Sequence, residues 1–214
     1  MIQGTVLITG AAGFIGSHLS ERLLGQGHRV VGVDSFNTFY DPAIKRRNLA
    51  LALAHRDFTL VEADIRDRAA MLDTFAKHKP QAVVHLAAMA GVRPSIENPA
   101  LYAAVNIDGS VNLLDAAVAQ KCSKFLFASS SSVYGNNPKV PFAEDDNVDH
   151  PISPYAATKK AGELLCHTYW HLHKLPVTCL RFFTVFGPRQ RPDLAIHKFL
   201  CLVRDGKPLS LIHI

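Results

Sequence analysis

The sequence predicts an α/β protein built on a doubly wound parallel sheet. Three observations predict it: short β-branched runs alternate with segments of helical periodicity, a glycine-rich turn follows the first run, and 48% of the 214 residues are hydrophobic, enough for a substantial core. Strands that alternate with helices pair in parallel through right-handed crossovers, which leaves helices on both faces of the sheet. Ligands of such sheets bind outside the carboxyl ends of the strands, so motifs at that edge carry the most weight.

The elements follow from the local patterns. Six short apolar runs predict strands at Thr5 to Thr9, Arg29 to Asp34, Phe58 to Ala63, Ala82 to Leu86, Lys124 to Ala128, and Val177 to Phe182. Between them, apolar residues at three- and four-residue spacing predict helices at Phe14 to Leu24, Ala43 to Ala54, Arg68 to His78, Asn98 to Gln120, and Pro154 to His173. The run Lys45-Arg46-Arg47 is interpreted as a solvated helix face.

Composition narrows the classes of partner. The formal net charge is +5, but the basic residues are scattered, which favours a small anionic ligand over nucleic acid. No apolar stretch is long enough for a membrane span, and no signal peptide is expected. The cysteines lack CxxC spacing, so we expect reduced thiols and a cytoplasmic protein. His167 and His171 lie one helical turn apart without an acidic partner, so we expect no metal site.

The stretch TGAAGFIG joins the first strand to the first helix. Glycines at positions 10, 13 and 16 permit a tight turn and let a diphosphate approach the amides and the positive end of that helix. The spacing is GxxGxxG rather than the commoner GxGxxG, and a glycine-rich turn alone is weak evidence. The candidate cofactor residues here are Gly10, Gly13, Phe14, Ile15 and Gly16.

Asp34 strengthens the prediction of a dinucleotide site. It ends the second strand, eighteen residues after Gly16, where its carboxylate can accept hydrogen bonds from both hydroxyls of an adenosine ribose. A 2′-phosphate would be repelled by this carboxylate, and no arginine follows it directly. The sequence therefore predicts NAD as the cofactor rather than NADP.

Two later stretches contain residues that could bind a substrate or take part in a reaction. FASSSSVYG places four consecutive serines at the end of the fifth strand, which we interpret as a hydrogen-bonding shelf for a hydroxylated substrate. In SPYAATKKAGE, Tyr155 and Lys159 are four residues apart and share one helix face. An ammonium beside the phenol would lower the pKa of Tyr155 and let it act as a general base. A tyrosine four residues before a lysine is common by chance, so this pair indicates a catalytic site only together with the surrounding motifs.

TGAAGFIG, Asp34, LAA, SSSSVYG and YAATK, in this order, resemble the extended short-chain dehydrogenase/reductase family, particularly its nucleotide-sugar epimerases, from Thr5 to about Lys207. The resemblance implies a Rossmann-like NAD-binding domain and C4 epimerisation of a sugar through a 4-keto intermediate. It further implies catalytic roles for Ser130, for Tyr155 as the base, and for Lys159 as its partner. The cofactor contacts that it adds are Asp64, Ile65, Leu86, Ala87, Ala88 and Phe182, besides Tyr155 and Lys159 themselves.

Three further stretches, DSFNTFYDPAIKRRNL, AGVRPSIENP and RFFTVFGPRQRPD, resemble the UDP-glucuronate 4-epimerase group. Ser131 and Ser132 stand where related 4,6-dehydratases carry an Asp-Glu pair, and related decarboxylases carry a glutamate at the position of Ser132. UDP-glucose/galactose 4-epimerase and UDP-glucuronate decarboxylase remain as alternatives, with a redox-inert NAD-binding regulator as a different class. The candidate substrate residues are Arg93, Ser131, Ser132, Thr184 and Arg191.

The resemblance also divides the chain. We expect residues 1–186 to form the NAD-binding domain with the catalytic residues, and residues 187–214 to begin a substrate-binding domain that is largely missing, because family members are longer. The final LSLIHI resembles translated sequencing adapter. The family further implies a homodimer of the full-length protein, packed through the helices at Asn98 to Gln120 and Pro154 to His173.

Overall fold

A computed structural model describes residues 4–209 and contains one six-stranded, fully parallel sheet with the strand order β3-β2-β1-β4-β5-β6. The strands are β1 (Thr5–Thr9), β2 (Arg29–Asp34), β3 (Phe58–Glu62), β4 (Ala82–His85), β5 (Lys124–Ser130) and β6 (Val177–Phe182). The doubly wound prediction is confirmed. Most of the LSLIHI segment, residues 210–214, lies outside the described residues.

Helices connect successive strands. They are α1 (Phe14–Gly25), α2 (Pro42–Asn48), α3 (Ala50–Leu53), α4 (Arg68–His78), α5 (Val92–Glu97), α6 (Pro99–Ala103), α7 (Gly109–Ala119), α8 (Pro154–His173) and α9 (Ala195–Arg204). A π-helical turn, Ala104–Asp108, joins α6 to α7, and a 3₁₀ turn, Ser131–Tyr134, follows β5. No helix within residues 4–209 has both the length and the apolar character needed to cross a membrane.

The predicted helices at Ala43 to Ala54 and Asn98 to Gln120 are each interrupted. The first breaks at Leu49, which is buried, while the side chain of Asn48 donates to the carbonyl oxygen of Ala12 at 3.0 Å. The second widens at Asn106, whose amide group bonds both the N–H and the carbonyl of Met89. These long-range polar contacts override local helical periodicity. The helices α5 and α9 were not predicted.

Side chains of β1 show how the two layers of the core form. Leu7 packs in a cluster with Val83 and Phe125, on the side of the sheet covered by α4, α7 and α8. Val6 and Ile8 point to the other side and pack in a cluster with Leu24 of α1. Successive residues of a strand point to opposite faces, so a wholly buried strand must be apolar at nearly every position.

Parallel pairing gathers the carboxyl ends of the strands at one edge. Thr9 of β1 lies beside both Val33 of β2 and His85 of β4, and Ser130 of β5 lies beside Phe182 of β6. The glycine-rich turn and the serine run therefore open onto the same edge of the sheet.

Candidate active site

The glycine-rich turn needs glycine at two positions for different reasons. Gly10 has a φ of +69°, and a Cβ there would lie 2.9 Å from the backbone nitrogen of Ala87. A Cβ on Gly16 would lie 2.1 Å from the carbonyl oxygen of Gly10. Gly13 precedes α1 and supplies no side-chain cap, and the first amides of a helix lack acceptors within the helix. The turn thus offers the N–H groups of Phe14, Ile15 and Gly16 to an anion.

Asp34 fixes this turn against the end of β2. One carboxylate oxygen accepts from the N–H of Ala12 at 3.0 Å, and the other accepts from the N–H of Phe36 at 2.9 Å. Burial raises the pKa of Asp34, although both backbone N–H groups oppose that shift. A carboxylate oxygen can accept two hydrogen bonds, so each oxygen retains acceptor capacity for one hydroxyl of a ribose. The geometry therefore fits an adenosine diol.

Asn48 and Lys45, from α2, complete this part of the site, and sequence reasoning missed both. Asn48 donates to the carbonyl of Ala12, so the N–H and the carbonyl of this residue are both anchored by side chains. The ammonium of Lys45 donates to the backbone and side-chain oxygens of Asn37, each at 2.8 Å, and Lys45 as a residue is only 5% exposed. The interpretation of the Lys45 run as solvated is wrong for Lys45, because this ammonium orders the loop after Asp34.

The other predicted cofactor contacts take different forms. Asp64 accepts two hydrogen bonds from the guanidinium of Arg66, at 3.0 and 2.7 Å, which hold the pKa of Asp64 below its usual value. Ile65 is a core residue, 4% exposed. Leu86 to Ala88 continue from β4, and the N–H of Ala87 donates to the hydroxyl of Thr9 at 3.2 Å. The roles of these residues toward a cofactor stay predictions.

Ser130, Tyr155 and Lys159 are brought together by β5 and α8. The hydroxyl of Ser130 donates to that of Ser132 at 3.1 Å, and Ser130 lowers the pKa of the Tyr155 phenol. The ammonium of Lys159 donates to the carbonyl of Ala128 at 2.7 Å and lies 6.0 Å from the ring centre of Tyr155. Ser153 caps α8 through the N–H of Ala156, which places Tyr155 in the first turn.

We expected the ammonium of Lys159 to lower the pKa of Tyr155, but the net effect of its surroundings is to raise that pKa. Burial raises the pKa of the Tyr155 phenol, and the contributions that lower it come from Ser130 and the charge of Arg191. Lys159 is itself 4% exposed, and burial lowers its pKa to about 8. The ammonium is directed at Ala128 rather than at the phenol oxygen, which explains the difference.

Fewer of the four serines than predicted are available to a ligand. Ser129 is 3% exposed, and its hydroxyl donates to Oε1 of Glu163 at 2.6 Å, on the side of α8. Ser131 and Ser132 are half-buried and form the 3₁₀ turn that follows Ser130. Three serines rather than four therefore remain available to a ligand.

The predicted substrate residues are only partly assembled. Arg191 pairs with Asp193 at 2.7 Å and lies over the ring of Phe39 at 5.2 Å, and its charge lowers the pKa of Tyr155. The charge of Arg191 therefore acts on the tyrosine that is predicted to be catalytic. Thr184 is exposed two residues after Phe182. Arg93 lies on an exposed position of α5, a helix that packs against α8.

A buried hydrogen-bond chain links the two halves of the site, and sequence reasoning missed it. The hydroxyl of Ser110 donates to the carbonyl of Asn106 at 2.6 Å, so Ser110 accepts from Nε2 of His85 at 3.0 Å. Nδ1 of His85 is then the acceptor for the hydroxyl of Thr9 at 2.7 Å. Burial lowers the pKa of His85 to about 3, so this imidazole stays neutral.

Asn106 extends this chain toward α8. Its side-chain amide bonds Met89 and also donates to the hydroxyl of Thr158, next to Lys159, at 3.0 Å. The end of β1, where the glycine turn begins, and α8 are thereby joined through buried polar groups. Within residues 4–209, no group of three or more His, Cys, Asp or Glu side chains is arranged to hold a metal ion.

Comparison with known proteins gives consistent matches. The family model described as "NAD dependent epimerase/dehydratase family" matches residues 6–213. An uncharacterised 37.6 kDa protein of Escherichia coli O111:H- is 50% identical over 96% of this chain and 61% of its own length. A probable UDP-glucuronate 4-epimerase of Rhizobium meliloti is 47% identical, over 96% of this chain and 60% of the relative.

The crystal structure of a UDP-glucuronic acid 4-epimerase from Bacillus cereus, in complex with UDP-glucuronic acid and NAD, is also similar. It matches with a TM-score of 0.89 and 39% identity, covering 96% of this chain and 64% of that one. The chain thus spans about three-fifths of the length of these relatives.

The buried ammonium predicts an unusual dependence of stability on pH. The pKa of Lys159 is 10.5 unperturbed and about 8 when folded, so between these values the unfolded chain binds more protons. The free energy of unfolding therefore gains about 3 kcal/mol from this group as the pH rises from about 8 to 10.5. Lys159→Met should lack this gain.

Urea unfolding of both proteins across that range measures it. The Met side chain keeps the apolar stem but not the titrating group, so contributions from all other residues cancel in the difference. Parallel stability curves for the two proteins would contradict the burial of a charged Lys159.

Proposed function

The chain belongs to the NAD-dependent epimerase/dehydratase family, and from that premise we propose that the full-length gene product interconverts UDP-glucuronate and UDP-galacturonate. The observation that carries the proposal is the juxtaposition of Ser130, Tyr155 and Lys159 at the sheet edge that also holds the glycine turn and Asp34. Relatives named as UDP-glucuronate 4-epimerases, and the Bacillus cereus complex with UDP-glucuronic acid, support the choice of sugar.

We propose that NAD lies along this edge. The diphosphate would meet the amides of the glycine turn, and the carboxylate of Asp34 would accept from the adenosine ribose. When bound, NAD supplies the site that takes hydride from C4 of the sugar and returns it. The further contacts proposed are Asp64, Ile65, Leu86, Ala87, Ala88, Tyr155, Lys159 and Phe182.

The protein's own groups handle the proton. Tyr155 takes the proton from the C4 hydroxyl, and Ser130, which lowers the pKa of Tyr155, orients the same oxygen. A pKa raised by burial makes the Tyr155 phenolate a strong base, and Ser130 and the charge of Arg191 favour its formation. After the keto sugar presents its other face, Tyr155 returns the proton and C4 is inverted.

Retention of the carboxylate distinguishes this reaction from decarboxylation. Oxidation of C4 in a glucuronate gives a β-keto acid, which loses CO₂ when the C5–C6 bond aligns with the carbonyl π system. Hydroxyls of Ser131, Ser132 and Thr184, with the guanidinium of Arg191, would hold the carboxylate out of that alignment. Arg191 suits this role because its planar fork binds a carboxylate through two parallel hydrogen bonds. Arg93 would bind the diphosphate or the carboxylate.

Product analysis tests the reaction. The full-length gene product, given UDP-glucuronate, should form UDP-galacturonate without net consumption of NAD, and Tyr155→Phe should lower kcat by at least about a hundredfold because the proton acceptor is removed. Chromatography of the nucleotide sugars separates epimer from pentose. Folded wild-type protein that yields neither product would refute the assignment, and a pentose product alone would favour the decarboxylase.

The carboxylate contacts give a second test. Replacing Thr184 by Val and Ser132 by Ala in one protein should raise the ratio of UDP-pentose to epimer, since two donors that restrain the carboxylate are lost. The Ser123→Ala variant serves as a control, because this hydroxyl donates to Gln81 at the opposite edge of the sheet. An unchanged product ratio in the double variant would refute the role of these hydroxyls.

We also place the protein in the cytoplasm. Its four cysteines are free thiols, and Cys166 and Cys179 pack in the same apolar cluster. An oxidising compartment favours disulfides, whereas the cytoplasm keeps thiols reduced. Fractionation of cells that express the full-length gene checks this location.

A homodimer is the assembly that we propose. Leu164 and Leu172 of α8, eight residues apart and so on one side of the helix, are 56% and 64% exposed, which suits a helix that packs against a second copy.

Sedimentation of the full-length protein should give the mass of a dimer, and Leu164→Glu should shift it to the monomer because a charge enters the apolar interface. Leu53→Glu alters a leucine of similar exposure on α3 and should leave the dimer intact. A wild-type monomer at micromolar concentration would contradict the proposal.

A further inference from the structure

A largely buried ion pair lies behind the 3₁₀ turn Ser131–Tyr134, which we call the serine turn. Glu163 of α8 and Arg181 of β6 are joined by two parallel hydrogen bonds, each 3.0 Å long, and their side chains are 11% and 19% exposed. The contact holds the guanidinium charged, since the carboxylate raises the pKa of Arg181. Neither residue was predicted as part of the site.

Glu163 and Arg181 each form further hydrogen bonds, to segments that contain predicted site residues. Oε1 of Glu163 accepts from the hydroxyl of Ser129, the residue before Ser130, at 2.6 Å. Arg181 donates to the hydroxyl of Tyr134, which ends the serine turn, at 3.2 Å, and to the carbonyl of Glu144 at 3.1 Å. The guanidinium also lies over the ring of Tyr134 at 5.0 Å.

The pair thus fixes three elements against one another. Glu163 lies one helical turn beyond Lys159 and two beyond Tyr155 on α8. Ser129 adjoins Ser130 on β5, and Arg181 precedes Phe182, which is the neighbour of Ser130 across the sheet. A shift of α8 along β5 would change the distance from Tyr155 to Ser130, and a shift of β6 would move Thr184.

We propose that Glu163 and Arg181 are positioning residues, which set the relative positions of Ser130, Tyr155 and Thr184 without touching the substrate. The inference rests on the proposed function, because it assigns these three residues to the sugar. The ion pair controls both the rate of oxidation at C4 and the retention of the carboxylate in the keto intermediate. Most of the proposed NAD contacts lie in the glycine turn, at Asp34 and after β3 and β4, away from the pair, so the affinity for NAD depends on the pair less than kcat does.

A buried ion pair is a poor means of stabilising a fold alone. Desolvation of two charges offsets most of their attraction, and apolar side chains of the same volume are often as stabilising. Apolar packing is non-directional, however, whereas this carboxylate and this guanidinium hold their partners at defined distances and angles. The directional contacts with Ser129 and Tyr134 therefore indicate a role in geometry.

The test uses the full-length gene product with Glu163→Gln and Ser129→Ala, compared with Asp149→Asn. Asp149, which precedes α8, forms an ion pair with Lys160 of α8 at 3.2 Å and has a side chain that is 63% exposed, so its replacement removes an ion pair to α8 other than that of Glu163. Steady-state kinetics, the ratio of UDP-pentose to epimer, NAD affinity and amide hydrogen exchange are measured for each protein.

Glu163→Gln should lower kcat on the order of a hundredfold while KM and the Kd of NAD change less than about threefold, since misplacement of reacting groups affects the chemical step. The pentose ratio should rise. Ser129→Ala removes one hydrogen bond and leaves the ion pair, so its kcat should fall about fivefold. Asp149→Asn should match the wild type.

Hydrogen exchange gives a readout that needs no turnover. Peptides covering residues 128–135 and 180–186 should exchange faster in Glu163→Gln than in Asp149→Asn, because both strand ends lose their anchor. If the wild type forms no epimer, the proposed function fails, while faster exchange confined to these peptides still supports the positioning role. Should Glu163→Gln fail to fold, the kinetics and exchange of Ser129→Ala decide.

Two results would overturn the inference. The first is a Glu163→Gln protein with the kcat and product ratio of the Asp149→Asn control. The second is exchange at the two strand ends that equals that of the control.

Discussion

Parallel pairing of all six strands is the constraint on which the site depends. Because every strand runs the same way, the ends of β1, β2, β4, β5 and β6 meet at one edge. Thr9 and His85 are opposite each other, as are Ser130 and Phe182. Groups more than a hundred residues apart in the chain are thereby brought together by register alone, and the connecting loops need only add local detail.

Polar side chains at this edge of the sheet extend into the core, where they form hydrogen bonds. Within residues 4–209, no buried side-chain nitrogen or oxygen lacks a hydrogen-bond partner. In this chain of hydrogen bonds, a neutral His85 joins Thr9 to Ser110, and Asn106 joins Met89 to Thr158. A protonated His85 would place a second cation near Lys159, and burial prevents this by lowering the imidazole pKa. The apolar clusters on both faces of the sheet exclude water, which makes these bonds persistent.

Sequence patterns predicted what depends on local chemistry. The bounds of β1, β2, β6, α4 and α8 were correct, because periodicity, Pro154 at the start of α8 and the residues that end these elements act locally. The assembly of Ser130, Tyr155 and Lys159 was also anticipated. Long-range contacts were not: the turn at Asn106 depends on Met89, and the burial of Lys45 depends on Asn37.

The pKa of Tyr155 was misjudged for a related reason. Spacing along a helix shows that Lys159 shares a face with the phenol, but it does not show that its ammonium is directed to Ala128. Likewise, a run of four serines does not reveal which one turns back toward α8. The direction of a side chain depends on partners from other elements, and those are visible only in three dimensions.

The charges around the serine turn are arranged as an anionic sugar requires. The carboxylate of Glu163 accepts from Ser129, the residue before Ser130, and two hydrogen bonds from Arg181 neutralise it. On the open side of the site, the positive charge of Arg191 lowers the pKa of Tyr155. Asp193 forms an ion pair with the guanidinium of Arg191. A carboxylate at the position of Ser131 or Ser132 would repel a uronate and supply an acid or base beside the keto intermediate. Serines donate hydrogen bonds without either effect, so the proposed epimerisation depends as much on where carboxylates are neutralised or absent as on Tyr155 itself.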